Sequence, residues 1–239
     1  MNPVLGSWFR GFPKYIVTAG TNKPETIECG LATARGVRDD RLLVVRLMEL
    51  DTRDTVFVSV DIQPRARMPW TEQNLLDAYR EEQFTLGELN QAVDHFFDVM
   101  LPAAEAVSEF ARQRGIPRLF VHWSRKATGD FSIVGDEPRP HDGFDVQPDD
   151  WVIAKTEMDA FPSSNIADIL AGLGRRTLLM VGGHTRGCLG QTAKSAIARG
   201  YRCVLVREAS FDCSYLRWPK GIDEVAYDHV VSLAELLRY

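Results

Sequence analysis

Apolar positions along this chain follow two rhythms. In some short runs nearly every residue is apolar. In longer stretches apolar residues recur at three- and four-residue spacing, the signature of a helix face. "TVFVSVD" (Thr55–Asp61), "RLFVHW" (Arg118–Trp123), "DWVIAK" (Asp150–Lys155), "RTLLMVGG" (Arg176–Gly183) and "YRCVLV" (Tyr201–Val206) are of the first kind and predict strands. An earlier apolar run, "LLVVRLMELD" (Leu42–Asp51), ends in the turn "DTRD". A helix is expected from about Glu88 to Arg114, with Val93, Phe96, Phe97 and Met100 on one face. Pro102 should kink or restart it, and Gly115 and Pro117 should end it. "SSNIADILAGLG" (Ser163–Gly174) reads as a short helix with serine at its entry and glycine at its exit. Cys188 to Arg199 reads as another, stopped by Gly200, and the tail "VVSLAELLRY" ends in a short one.

Strand and helix alternate, and the strands are apolar on both sides. That pattern predicts an α/β fold: a mostly parallel central sheet with helices on both faces, a three-layer αβα sandwich. Its crossovers should be right-handed. No shift of composition marks a second domain within residues 44–239. Residues 1–43, which mix a short apolar run with turn residues, are read as an extension packing on that domain or on a neighbouring subunit.

Composition narrows the classes. The 239 residues are 45% hydrophobic, enough for one sizeable core. A net charge of -5 gives no reason to expect a nucleic-acid partner. No apolar run approaches the ~20 residues of a membrane span, so no membrane partner is expected. The start "MNPVLGSWFRGFPKYIV" is not read as a signal peptide. Four cysteines, Cys29, Cys188, Cys203 and Cys213, include no C-x-x-C pair. Reduced thiols in a cytoplasmic protein are the simpler expectation, and a structural zinc site is poorly supported.

Three reactive side chains fall at strand ends, where open α/β sheets bind ligands. Asp61 closes one strand and Lys155 another. Cys188 follows a third, at the doorway of a helix in "VGGHTRGCLGQTAKSA" (Val181–Ala196). A helix start and a nearby cation such as Lys155 would lower the pKa of the thiol. Asp61 could accept its proton, and peptide N–H groups of the glycine-containing turn could face a developing oxyanion. Taken singly, each residue has a plainer reading. Asp61 serves as a helix cap or turn residue, Lys155 as a solvated charge and Cys188 as a small core residue. Cys203 reads as core, and Cys213 lies past a strand end with no evident base beside it.

The motifs "VFVSVDIQ", "VIAKTEMDAF" and "GGHTRGCLGQTAKSA", followed by "GYRCVLVREASFD", resemble the isochorismatase-like cysteine hydrolases. That group includes N-carbamoylsarcosine amidases, nicotinamidases, biuret hydrolases and ureidoacrylate amidohydrolases. The resemblance implies a parallel sheet of about six strands. It also implies a Cys–Asp–Lys triad, with Cys188 as nucleophile, Asp61 as general base and Lys155 as charge stabiliser. A cis peptide at Gly183–His184 would aim the His184 and Cys188 N–H groups at the substrate oxygen. The activity implied is hydrolysis of a C–N bond in a small amide or ureide through a thioester, by a homodimer or homotetramer. A non-catalytic member of the same fold that binds a ligand or partner is the alternative.

Candidate substrate contacts are Gln63, Arg65, Trp123, Phe161 and Thr185, with Trp70, Arg67 and Arg125 nearby in sequence. The chain departs from the family after Asp61, where "DIQPRARMPW" replaces the usual Asp-x-Gln-Asn-Asp-Phe. The metal motif of nicotinamidases is absent, so no metal or other cofactor is expected.

Overall fold

Six residues in a row from Thr55 to Val60 are buried, which a strand allows only when both of its faces are covered. Phe57 points into one core, and Val56, Val58 and Val60 into another. The structure, a computed structural model, describes residues 50–75, 80–81, 83–124, 139–213, 218–225 and 227–239. The expectations for residues 1–43, for the start of the run at Leu42 and for Arg125 lie outside these.

The strands are β1 (Thr55–Val60), β2 (Arg118–Trp123), β3 (Trp151–Lys155), β4 (Thr177–Gly183), β5 (Arg202–Phe211) and β6 (His229–Val231). They form one sheet in the order β3-β2-β1-β4-β5-β6, and every pairing is parallel. The helices are α1 (Leu86–His95), α2 (Leu101–Gln113), α3 (Ala160–Ser163), α4 (Ile166–Leu173), α5 (Cys188–Ala198), α6 (Trp218–Val225) and α7 (Leu233–Leu236). Phe96, Met100, Ala104, Val107 and Leu236 place α2, α7 and the turn before α2 on the Phe57 face. Phe161, Leu170, Leu189 and Ile222 place α3 to α6 on the other. The αβα layering is therefore as expected. Among the described residues no helix is long and apolar enough to cross a membrane.

The long helical region starts at Thr85, whose hydroxyl accepts from the Glu88 N–H while the Glu88 carboxylate accepts from the Thr85 N–H. Around Pro102 the helix restarts, with Pro102 in the first turn of α2. Before that restart the helix widens into one π-turn, Phe96–Met100, closed by the Leu101 N–H donating to the Phe96 carbonyl. Proline has no N–H to give and its ring crowds the carbonyl one turn back, so a looser turn just before it relieves both problems. Gly115, at φ 63, ends α2 while the Ile116 N–H donates to the Ala111 carbonyl. Absent from the sequence reading are α3, α6 and β6.

The strand order reverses between β1 and β4, so the connections leaving their carboxyl ends diverge and leave a crevice. Asp61 follows β1, and the turn to Cys188 follows β4. Gly182 makes the close approach possible. Its φ is 116, and a Cβ there would lie 2.0 Å from the Val60 carbonyl oxygen.

Candidate active site

Each of the three strand ends delivers its side chain inward. Asp61 takes a left-handed backbone conformation, φ 55, and its N–H donates to the Val121 carbonyl at 2.9 Å. Aspartate is among the few residues that tolerate this conformation. Lys155, the last residue of β3, has no exposed surface. Its Nζ lies 2.7 Å from Asp61 Oδ2, donates to the Glu157 carbonyl at 3.3 Å, and sits 4.3 Å from the centroid of the Trp123 ring. The Cys188 thiol, at the first turn of α5, is in contact with both Asp61 and Lys155. An acid, an ammonium and a thiol from three separate strand ends thus meet in one place.

The electrostatics differ from those argued from sequence. A helix start and Lys155 were expected to lower the pKa of the thiol. Burial dominates instead, the Asp61 charge adds to it, and the Cys188 thiol is pushed up to about 12 despite Lys155. Burial also raises the Asp61 carboxyl, against the pull of the Lys155 charge and of its contacts with Lys155 and Cys188. The resting thiol is therefore protonated. The ammonium lies against the carboxylate at ion-pair distance, and the Cys188 thiol contacts the same carboxylate.

The turn from β4 into α5 is tightly held. Gly183–His184 is a cis peptide. Thr185 N–H donates to the Phe211 carbonyl at 3.0 Å, and Gly187 N–H to the His184 carbonyl at 3.0 Å. Among the described residues neither the His184 nor the Cys188 N–H donates to a backbone carbonyl. The His184 ring meets Phe211 edge-on at 5.1 Å, and burial lowers its pKa. Among the described residues its buried Nε2 has no hydrogen-bond partner.

Asp212, just past β5, was missed in the sequence reading. It is 5% exposed. Its Oδ2 accepts from Thr185 Oγ1 at 2.7 Å and from the Arg186 N–H at 3.0 Å. Its Oδ1 accepts from the N–H and thiol of Cys213, at 2.8 and 3.2 Å. Cys213 therefore does have an acid beside it. The signal was present as a second acid at a strand end, "ASFD", but what it touches lies 26 residues back along the chain. His184, Asp212 and Cys213 bring ligand-type atoms within 4.8 Å of one another. The carboxylate of that group already accepts four hydrogen bonds, which suits a structural cluster better than a metal centre.

The remaining candidates fall into two groups. Arg65 is half-buried with its guanidinium 4.4 Å over the Phe96 ring, and it lines a small cavity with Trp70, Val93, Asp212 and Cys213. Trp123 stacks on Lys155. The other three are turned to the protein itself. Gln63 is buried, accepting from the Trp123 N–H at 2.8 Å and donating to its carbonyl at 3.3 Å. The Thr185 hydroxyl is engaged by Asp212. Phe161 is buried in the α3–α6 core, with Arg199 4.4 Å over its ring. Arg67 pairs on the surface with Asp94 and Asp98, each at 2.6 Å. Cys203 is core, as read.

Comparison with known proteins adds three findings. Residues 56–235 match the family model described as the isochorismatase domain. Over 133 residues the chain is 30% identical to an N-carbamoylsarcosine amidase from Arthrobacter sp., a match covering 48% of this chain and 50% of that protein. The chain thus spans about half the length of this curated relative. Among solved structures, the N-carbamoylsarcosine amidase of Thermoplasma acidophilum superposes with a TM-score of 0.54 at 21% identity, over 75% of this chain and 96% of that one. An isochorismatase-like hydrolase from Alkaliphilus metalliredigens gives 0.56 at 14% identity, over 77% and 98%.

Proposed function

The chain belongs to the isochorismatase family, and on that premise we propose that it is a cysteine amidohydrolase cleaving a C–N bond in a small amide or ureide. The observation that carries the reading is the buried meeting of Cys188 with the Asp61–Lys155 ion pair. A thiol held near a pKa of about 12 is a poor nucleophile until a base takes its proton. Asp61 is that base: burial strengthens it, and the Lys155 charge keeps it from staying protonated.

Asp61 removes the Cys188 proton as sulfur attacks the substrate carbonyl. The oxyanion that forms is met by the His184 and Cys188 N–H groups. Protonated Asp61 then gives its proton to the departing nitrogen, and ammonia or an amine leaves a thioester on Cys188. Asp61 next takes a proton from water, which attacks the thioester. Collapse returns the proton to sulfur and releases the acid. Lys155 balances the negative charge of Asp61 whenever the carboxylate is ionised. Arg65 and Trp123 form the substrate wall, whereas Gln63 and Thr185 position their neighbours.

The identity of the Arthrobacter relative favours carbamoyl compounds. A cytoplasmic homodimer or homotetramer is part of the same reading. Ammonia release should be followed over a panel of N-carbamoyl amino acids, including N-carbamoylsarcosine, together with biuret and simple amides. At least one compound should turn over with wild type and none with Cys188→Ala. Turnover by Cys188→Ala at the wild-type rate would remove Cys188 from the chemistry.

A further inference from the structure

We propose that Asp212 is a positioning residue for this reaction, fixing the turn that carries the oxyanion donors. The proposal rests on the reading of Cys188 as nucleophile. The turn has only four residues between the end of β4 and Cys188: His184, Thr185, Arg186 and Gly187. It presents two N–H groups, of His184 and Cys188, to one substrate oxygen. Asp212 grips the middle of it, the Thr185 hydroxyl at 2.7 Å and the Arg186 N–H at 3.0 Å.

Its second oxygen is anchored by the Cys213 N–H at 2.8 Å, so the carboxylate itself cannot swing. Among the described residues no cation pairs with it. Burial pushes its carboxyl up, but the nearby His184 and the hydrogen bonds from Thr185, the Arg186 N–H and Cys213 outweigh this and hold it below the usual carboxylate range. Charge-assisted bonds of this kind are stronger than neutral ones.

Two helices press the same turn from the other sides. A Cβ at Gly190 of α5 would lie 2.1 Å from the Thr185 carbonyl oxygen, and one at Gly221 of α6 would lie 2.3 Å from Thr185 Oγ1. Both glycines let the helices close on Thr185 and Arg186. Asp212 supplies the polar half of this cage. It touches no atom of Asp61, Lys155 or the Cys188 thiol in the contacts seen, so its influence falls on the donors rather than on the nucleophile.

A carboxamide cannot replace it. Both oxygens of Asp212 face N–H or O–H donors, and either orientation of an asparagine would turn an NH2 towards one of those pairs. In Asp212→Asn, kcat should fall by about 10- to 100-fold, since displacements near an ångström at a catalytic site cost on that order. KM should change little. The rate at which iodoacetamide alkylates Cys188 should stay at the wild-type value, because alkylation needs the thiol but no oxyanion donors. Thr185→Val should show the same split to a smaller degree, and Thr185→Ser, which restores the hydroxyl, should recover kcat. This pair also carries the test if Asp212→Asn does not fold.

Unchanged kcat in Asp212→Asn and Thr185→Val would overturn the proposal. So would parallel losses of kcat, alkylation rate and Tm, which would mean a merely structural role. Cys188→Ala, assayed alongside, separates the two levels. If that variant still releases ammonia, the nucleophile assignment fails first. If it is inactive while both turn variants keep full kcat, only the role of Asp212 is lost.

Discussion

Two buried ion pairs sit at opposite ends of the sheet, and they are built differently. At the amino end of β2, Arg118 meets Asp150 through two contacts, at 2.5 and 2.9 Å. Arg118 also donates to Ser108 Oγ at 3.2 Å and to the Asp145 carbonyl at 2.8 Å, while Asp150 accepts from the Gln147 N–H at 2.6 Å. That pair is satisfied on every side. At the carboxyl ends of β1 and β3, Lys155 meets Asp61 at 2.7 Å, and the same carboxylate contacts the Cys188 thiol. One partner of this carboxylate is thus a thiol, a weak hydrogen-bond donor, whereas Asp150 is held by a guanidinium and a peptide N–H. The first pair is made to stay as it is. In the mechanism we propose, the second keeps a base available to the thiol beside it.

The sharpest way to break this contrast is Lys155→Met. Without the ammonium, Asp61 loses its two strongest acidifying influences and its pKa climbs further. Loss of a general base costs about 100- to 10,000-fold, so ammonia release at neutral pH should drop within that range. Next comes Arg118→Leu, which strands Asp150 in the interior. Breaking a buried pair costs roughly 3–5 kcal/mol, to be read from urea unfolding, while kcat per folded molecule should stay unchanged. If Arg118→Leu abolished turnover at full stability, the two pairs would not differ in kind.

The pH profile sharpens the same point with a smaller effect. Asp61 must be ionised to take the thiol proton, so activity is lost as pH falls through its pKa. Because burial raises that pKa, the acid limb of kcat/KM should lie above the ordinary aspartate value of 3.8, and higher still in Lys155→Met. A limb at or below that value would argue against a desolvated base. Smallest of all is Thr85→Ala, far along the chain from both pairs. It removes the cap of α1 and should cost about 1 kcal/mol of stability with no change in kcat.

Much of this was legible in the sequence, for a physical reason. Strands buried on both faces must be apolar throughout, so β1, β2, β4 and β5 stand out as runs, and their ends mark Asp61 and Cys188. Strand ends brought Asp61, Lys155 and Cys188 to one rim, and the family resemblance supplied the roles proposed for them. Short elements did not stand out: β6 has three residues, α3 carries Pro162 inside "AFPS", and α6 contains Pro219 and Gly221. Nor could spacing reveal Asp212, because the register between β4 and β5 shifts near Met180 and Gly182, so the partners of Gly182 and Gly183 are Ser210 and Phe211. The thiol was misjudged because its pKa is set by burial, which a helix start does not disclose. Gln63 and Thr185 lie where sequence placed them, but their polar atoms turn to the protein itself.

The central claim is that the Cys188 sulfur forms the bond to the substrate carbonyl. Rapid acid quench during turnover, followed by mass spectrometry of the digested protein, tests it directly. The account predicts an added acyl mass on the peptide containing Cys188, absent from Cys188→Ala. Acyl mass on a different residue, or steady turnover with Cys188 unmodified at every time point, would contradict it.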